Sequence, residues 1–135
     1  MNIRICSRRA VEQLLHGRFP ANTAIISFYN PSDGISTILP VDYTEVTERV
    51  FQIPLDDFQT DMLEAAELVK FIDKAVSDGL DIICQCESGQ SRSAGCAAAV
   101  LEYYSHAGQA VFDDDRYRPD DMVYNAVLGA FETIL

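Results

Sequence analysis

Leu80-Asp81-Ile82-Ile83-Cys84-Gln85 is a short apolar run suited to a strand buried on both faces. Soon after it comes Ser93-Ala94-Gly95-Cys96-Ala97-Ala98-Ala99-Val100-Leu101, a small-residue run suited to a tightly packed helix. Only Cys86-Glu87-Ser88-Gly89-Gln90-Ser91-Arg92 separates the two. So short a connection leaves the chain little freedom and predicts a strand, a tight loop and a helix in direct succession. In open α/β sheets such a loop, at the carboxyl end of a strand, is where ligands sit. The first amides of the following helix have no intrahelical partners, and its macrodipole carries about half a positive charge at that end. An anion is the guest such a loop favours.

The residues inside the loop add reactivity to anion binding. A free cysteine is mostly protonated at neutral pH, and only local positive potential makes it the reactive thiolate. Cys86 lies where the helix start and the Arg92 guanidinium supply that potential, and the same field favours a bound phosphate dianion. Glu87, Ser88, Gly89, Gln90, Ser91 and Arg92 are predicted to wrap the phosphate. Gly89 permits the backbone dihedrals that turn successive amides towards one centre. The planar fork of Arg92 holds two phosphate oxygens at once, which a lysine does not. Ser93 is placed to donate a hydrogen bond to the sulfur when the thiolate has to leave a phosphocysteine. The competing reading makes Cys86 a small core hydrophobe and Arg92 a solvated side chain. Average residue usage makes this spacing roughly a one in a thousand event for a chain of this size, before its flanking strand and helix are counted.

C-x5-R-S between a strand and a helix resembles the signature of the cysteine-dependent protein tyrosine phosphatase superfamily, and the single serine after the arginine is similar to its dual-specificity branch. Upstream, Ile53-Pro54-Leu55-Asp56-Asp57 followed by an amphipathic stretch with Phe71-Ile72-Asp73 resembles the general-acid segment and next helix of that branch. Downstream, Arg118-Pro119-Asp120-Asp121 before a terminal helix is also similar. The likeness covers about residues 50–135 well and the first fifty weakly.

The resemblance implies hydrolysis of phosphotyrosine, with phosphoserine and phosphothreonine esters as further substrates, by a mechanism that needs no metal or cofactor. Cys86 would attack phosphorus while Arg92 and the loop amides hold the dianion. Ester cleavage also needs a proton for the leaving oxygen and later a base for water. Asp57, third after Pro54, occupies the place of the family's acid, with Asp56 its close rival. For both, the plainer reading is a surface aspartate leading into a helix capped by Thr60. The chain departs from most relatives at Gln85, where they carry histidine, and a less depressed thiol pKa is expected from that. Relatives that act on inositol lipids tend to have lysines where this loop has Glu87 and Gln90, so a phosphorylated protein or a small phosphate ester is the expected partner. Two other readings remain: a phospho-binding module with feeble catalysis, to which Gln85 points, and a thiol-dependent arsenate reductase. The second fits poorly, because relatives with that chemistry usually place the loop near the amino terminus or lack the Asp57 segment.

The remaining sequence reads as scaffold. Ile3–Cys6, Thr23–Tyr29, Val50–Ile53 and Asp81–Gln85 are predicted strands. Ala10, Val11, Leu14 and Leu15 form a short helical face ending at Gly17, and Met62, Ala65, Ala66, Val69, Ile72 and Val76 a long one ending at Gly79. One helix is expected from Arg92 to about Ala107. Another should start at Pro119, with Asp120 and Asp121 in its first turn and Val123, Val127, Ala130 and Phe131 buried. Asn30 to Glu48 is rich in turn formers and is expected to be mostly loop near the pocket mouth. The alternation predicts a single α/β domain over 1–135, a three-layer sandwich with a central, mostly parallel sheet of about four to five strands flanked by helices.

At 135 residues and 48% hydrophobic composition, the chain has one domain's worth of core. A net charge of −11 disfavours nucleic acid and anionic membranes as partners. No apolar stretch is long enough for a membrane span and Met1-Asn2-Ile3-Arg4-Ile5-Cys6 lacks the run of a signal peptide, so a cytoplasmic setting with all four cysteines reduced is expected. Cys84 and Cys86 supply only half a zinc site, and Cys84 is assigned to packing, with Cys84 or Cys96 placed to form a protective disulfide should the nucleophile oxidise. Asp113-Asp114-Asp115 reads as a solvated loop rather than a metal site, and His16 and His106 are given no catalytic role.

Overall fold

The computed structural model describes residues 1–31, 39–55 and 64–135. In chain order the elements are β1 (Ile3–Ser7), α1 (Arg8–His16), β2 (Thr23–Tyr29), β3 (Val50–Pro54), α2 (Ala65–Ser77), β4 (Asp81–Cys86), α3 (Arg92–Ser105), α4 (Gln109–Phe112) and α5 (Asp121–Ile134). The strands form one sheet in the order β1-β4-β2-β3, and all three pairings are parallel. β4 therefore lies inside the sheet, hydrogen-bonded on both sides, and only its first residue is exposed. Its short apolar run suits that position, since a central strand has no solvent face for polar residues to occupy.

Side chains alternate across β4, and each set meets a different layer. Ile82, Cys84 and Cys86 join the larger core with α2, α3 and α5, through Leu68, Val69, Ile72, Cys96, Ala97, Val100, Val123, Val127 and Phe131. Ile83 faces the smaller core on the opposite side, with Val11 of α1, Ile25, Val41 and Tyr43. The result is the predicted three-layer sandwich, with four strands. Tyr104 on α3 donates to Asp73 on α2 at 2.8 Å, and Tyr103 stacks on Phe131 of α5 at 4.5 Å, so the three helices of the larger layer are linked to one another.

Several boundaries differ from those expected. α5 begins at Asp121 rather than Pro119, because Asp120 stays extended and its carboxylate accepts the Val123 amide at 2.9 Å, so it is the N-cap and not a first-turn residue. β1 runs one residue further, to Ser7, whose hydroxyl accepts the Ala10 amide at 3.0 Å, so the strand ends in the cap of α1. α2 ends at Ser77, two residues before Gly79, which takes a positive φ of 74°. Its buried face is Leu68, Val69, Ile72 and Ala75, whereas Val76 is only half-buried. α3 stops at Ser105, with His106 in the left-handed region. α4 is a single turn, too short for a hydrophobic period to reveal. The expected start of the α2 pattern at Met62 lies outside the described residues.

From Arg92 to Val100 every residue of α3 is buried, so the helix start is enclosed on all sides. Small side chains make this possible. A Cβ on Gly95 would fall 2.6 Å from the Asp120 carbonyl oxygen, closer than backbone and side chain can approach. Gly95→Ala is expected to cost about 1–3 kcal/mol of stability in urea unfolding, the usual penalty for overpacking. A loss within experimental error of zero would show that α5 is not seated so tightly.

Candidate active site

The loop is shaped by what holds its carbonyls. The Glu87 carbonyl accepts from the Arg8 amide at 3.2 Å, Gln90 from the Arg118 amide at 2.8 Å, and Ser91 from the Asp120 amide at 3.0 Å. Because a trans peptide is planar, a carbonyl drawn one way sends the next residue's N–H the other way. The amides of Ser88, Ser91 and Arg92 are thus turned away from the β1–α1 corner and from the segment before α5. Gly89 makes the sharpest turn, with φ at 69°, and a Cβ there would lie 2.5 Å from the Ser7 nitrogen. Both the dihedral and the close approach exclude a side chain. The Ser88 hydroxyl accepts the Gln90 amide at 3.3 Å, while the side chains of Glu87 and Gln90 are exposed.

Cys86 ends β4 at the floor of this loop and is buried. Its Sγ lies 3.0 Å from Ser93 Oγ. Burial by itself pushes the thiol up, but hydrogen bonds from the Ser93 hydroxyl and from the backbone amides of Ser93, Gly89 and Ser91 outweigh it and bring the pKa below the ordinary cysteine value. Among the described residues no side chain caps α3, unlike α1 and α5, and of the helix's own amides that of Ser93 bonds to the sulfur.

Arg92 is 3% exposed. One guanidinium nitrogen, Nη1, donates to Asn30 Oδ1 at 2.7 Å and also to the Leu55 carbonyl. Those acceptors follow β2 and β3, so Arg92 fastens the loop to the carboxyl ends of both strands. The structure therefore brings Cys86, Ser93 and the six residues from Glu87 to Arg92 together at the end of β4. Asp57, with its rival Asp56 and the capping Thr60, lies outside the described residues. Leu55, two residues before Asp57, is buried and its amide bonds to the Tyr29 carbonyl at 3.0 Å.

Gln85 is buried at 2% exposure, and its Oε1 accepts from Ser27 Oγ and from the Tyr43 hydroxyl, the latter at 3.0 Å. Sequence reasoning missed both partners, and also Asn30, because each comes from a part of the chain with no motif. Cys84, as expected, is packed in the core. Its thiol is held well above the ordinary value, first by contact with the Cys96 thiol and then by burial. All four cysteines are free. Asp114 pairs with Arg116 at 2.7 Å, and among the described residues no cluster of His, Cys, Asp or Glu is arranged to hold a metal ion. No helix among them is long and apolar enough to cross a membrane.

No family model and no curated protein matches the sequence. Solved structures do match the fold. Human DUSP28 is 19% identical, with 98% of this chain and 92% of that one covered at a TM-score of 0.62. PTPMT1 in complex with PI(5)P is 13% identical, with 98% and 92% covered at 0.60. OH1 from the Orf virus, a tyrosine phosphatase, is 16% identical, with 96% and 79% covered at 0.54. The chain has the fold of the dual-specificity and tyrosine phosphatases.

The geometry at Ser93 gives a direct check on the state of the Cys86 thiol. Ser93→Ala removes a hydrogen bond to the charged form of Cys86 and is expected to raise the thiol pKa by roughly one unit. The pH dependence of iodoacetamide alkylation reads that shift, and an unchanged profile would mean the hydroxyl does not stabilise the thiolate.

Proposed function

We propose that the protein is a cysteine-dependent phosphatase that hydrolyses phosphotyrosine, and also phosphoserine and phosphothreonine, through a phosphocysteine intermediate. The observation that carries this reading is the Cys86 thiol, drawn towards its ionised form by the Ser93 hydroxyl and three backbone amides in a loop of anion-binding shape. The loop amides and Arg92 bind the phosphate dianion beside the sulfur. Cys86 attacks phosphorus, the ester bond breaks, and Asp57 protonates the leaving oxygen. Asp57, now a carboxylate, takes a proton from water as it attacks the phosphocysteine. The departing thiolate is received by the Ser93 hydroxyl at 3.0 Å.

The substrate class follows from the rim and the overall charge. Exposed Glu87 and Gln90 offer no positive charge to a second phosphate, so a phosphoprotein or a small monoester suits the loop better than the phosphoinositide bound to PTPMT1. A net charge of −11 favours a basic surface around the phosphorylated residue. Four free thiols suit a reducing, cytoplasmic setting.

Purified protein is expected to turn over p-nitrophenyl phosphate in the presence of a chelator, and Cys86→Ser to lose about a thousandfold or more of that rate. Tight tungstate binding without turnover would instead mark a phospho-binding module. Asp57→Ala should slow phosphotyrosine hydrolysis by about a hundredfold or more and affect an activated aryl ester much less. Equal losses on the two esters would remove Asp57 from the role of acid.

A further inference from the structure

Gln85 is the one amide among the buried side chains of β4, where its neighbours are Ile82, Ile83, Cys84 and Cys86. It faces the layer that contains α1, and Ile83, the other buried β4 residue on that face, is apolar. Two hydroxyls from different parts of the chain converge on its Oε1. Ser27 stands beside it in register on β2, and Tyr43 reaches it from the segment before β3 at 3.0 Å. Tyr43 is itself fixed, 1% exposed among Val11, Ile25, Val41 and Ile83, with the Phe19 ring edge-on at 6.4 Å. Gln52 Nε2 donates to the Val41 carbonyl at 2.8 Å and ties that segment to β3.

An amide and two hydroxyls buried in an apolar layer are unfavourable unless each finds its partners, and an isoleucine would fill the space without that requirement. The exception to the apolar pattern falls at the residue before the nucleophile. Gln85 and Cys86 face opposite layers and share one peptide plane, so holding the Gln85 side chain by directional bonds resists rotation of the peptide that aims Cys86 Sγ at Ser93 Oγ. Functional groups keep their geometry to within about 0.5 Å only when such supporting contacts lock them.

We propose that Ser27 and Tyr43 act through Gln85 as positioning residues for Cys86, so that a neutral, buried hydrogen-bond unit holds the end of β4 under the loop. The proposal rests on the reading of Cys86 as the nucleophile. The unit carries no charge at any working pH. Gln85 does not titrate, and burial holds the Tyr43 hydroxyl well above its ordinary range, so it remains a donor. The titratable and charged groups facing Tyr43 are Cys6 of β1 and Arg8 and Glu12 of α1, and Cys84 of β4 lies close to Cys86.

Tyr43→Phe keeps the ring and deletes one donor, and Ser27→Ala deletes the other. Each is expected to raise the Cys86 pKa read by iodoacetamide alkylation by about half a unit. Each should also lower kcat for p-nitrophenyl phosphate about fivefold with KM within about twofold of wild type, the pattern of a lost transition-state interaction. Ile72→Val, a core change in α2, should lower the melting temperature and leave the alkylation profile and kcat in place. The proposal is overturned if Tyr43→Phe and Ser27→Ala melt lower yet titrate and turn over as wild type does. Should Tyr43→Phe fail to fold, Ser27→Ala decides alone. Should wild-type protein hydrolyse no ester, the alkylation profiles still decide the positioning role, and only the phosphatase reading falls.

Discussion

The site depends on the direction in which three peptide planes face. The carbonyls of Glu87, Gln90 and Ser91 are held outward by the amides of Arg8, Arg118 and Asp120, and planarity then commits the following amides to the opposite side. Neither Arg8 nor the 118–120 segment belongs to the loop. They are backbone groups of the β1–α1 corner and of the approach to α5, brought there by the sheet order and by the close contact between Gly95 and Asp120. The shape of the loop is thus imposed from outside.

That arrangement explains why the start of α3 is so heavily enclosed. A helix usually satisfies its first amides with a side-chain cap, as α1 does with Ser7 and α5 with Asp120. α3 has no such cap among the described residues, and amides at its start turn to the Cys86 sulfur. Burial opposes ionisation of that sulfur, so the hydrogen bonds must be numerous and well aimed to win. Arg92, tied to Asn30 and Leu55, brings a fixed positive charge to the same end of the sheet and links the loop to the strand from which the Asp57 segment departs.

Most of the site was legible because its parts are adjacent in sequence. Cys86, Gly89, Arg92 and Ser93 fall within eight residues whose spacing carries the resemblance, and the apolar run before them and the small residues after them announce the strand and the helix. The contacts that shape the loop were not legible. Tyr43 lies in a stretch with no hydrophobic period, yet it is buried against Gln85 from 42 residues away. Ser27 looks like an interruption in an apolar strand until β2 and β4 pair in register. Asn30 and the Arg118 amide likewise take on a role only through folding. The start of α5 was misplaced for a local reason: an aspartate after a proline suits both a first turn and a cap, and the Val123 amide decides between them.

From its order of residue types alone, the chain specified a buried strand, a thiol-bearing loop and a small-residue helix, because these depend on neighbours in the chain and on the periods that strands and helices impose. It also specified the alternation that makes a parallel sheet. Only the tertiary structure decided where each loop carbonyl finds its donor, how Arg92 is oriented, and which hydroxyls meet Gln85. Those outcomes turn on hydrogen bonds between segments far apart in sequence, whose geometry exists only once the strands are in register and the helices are packed.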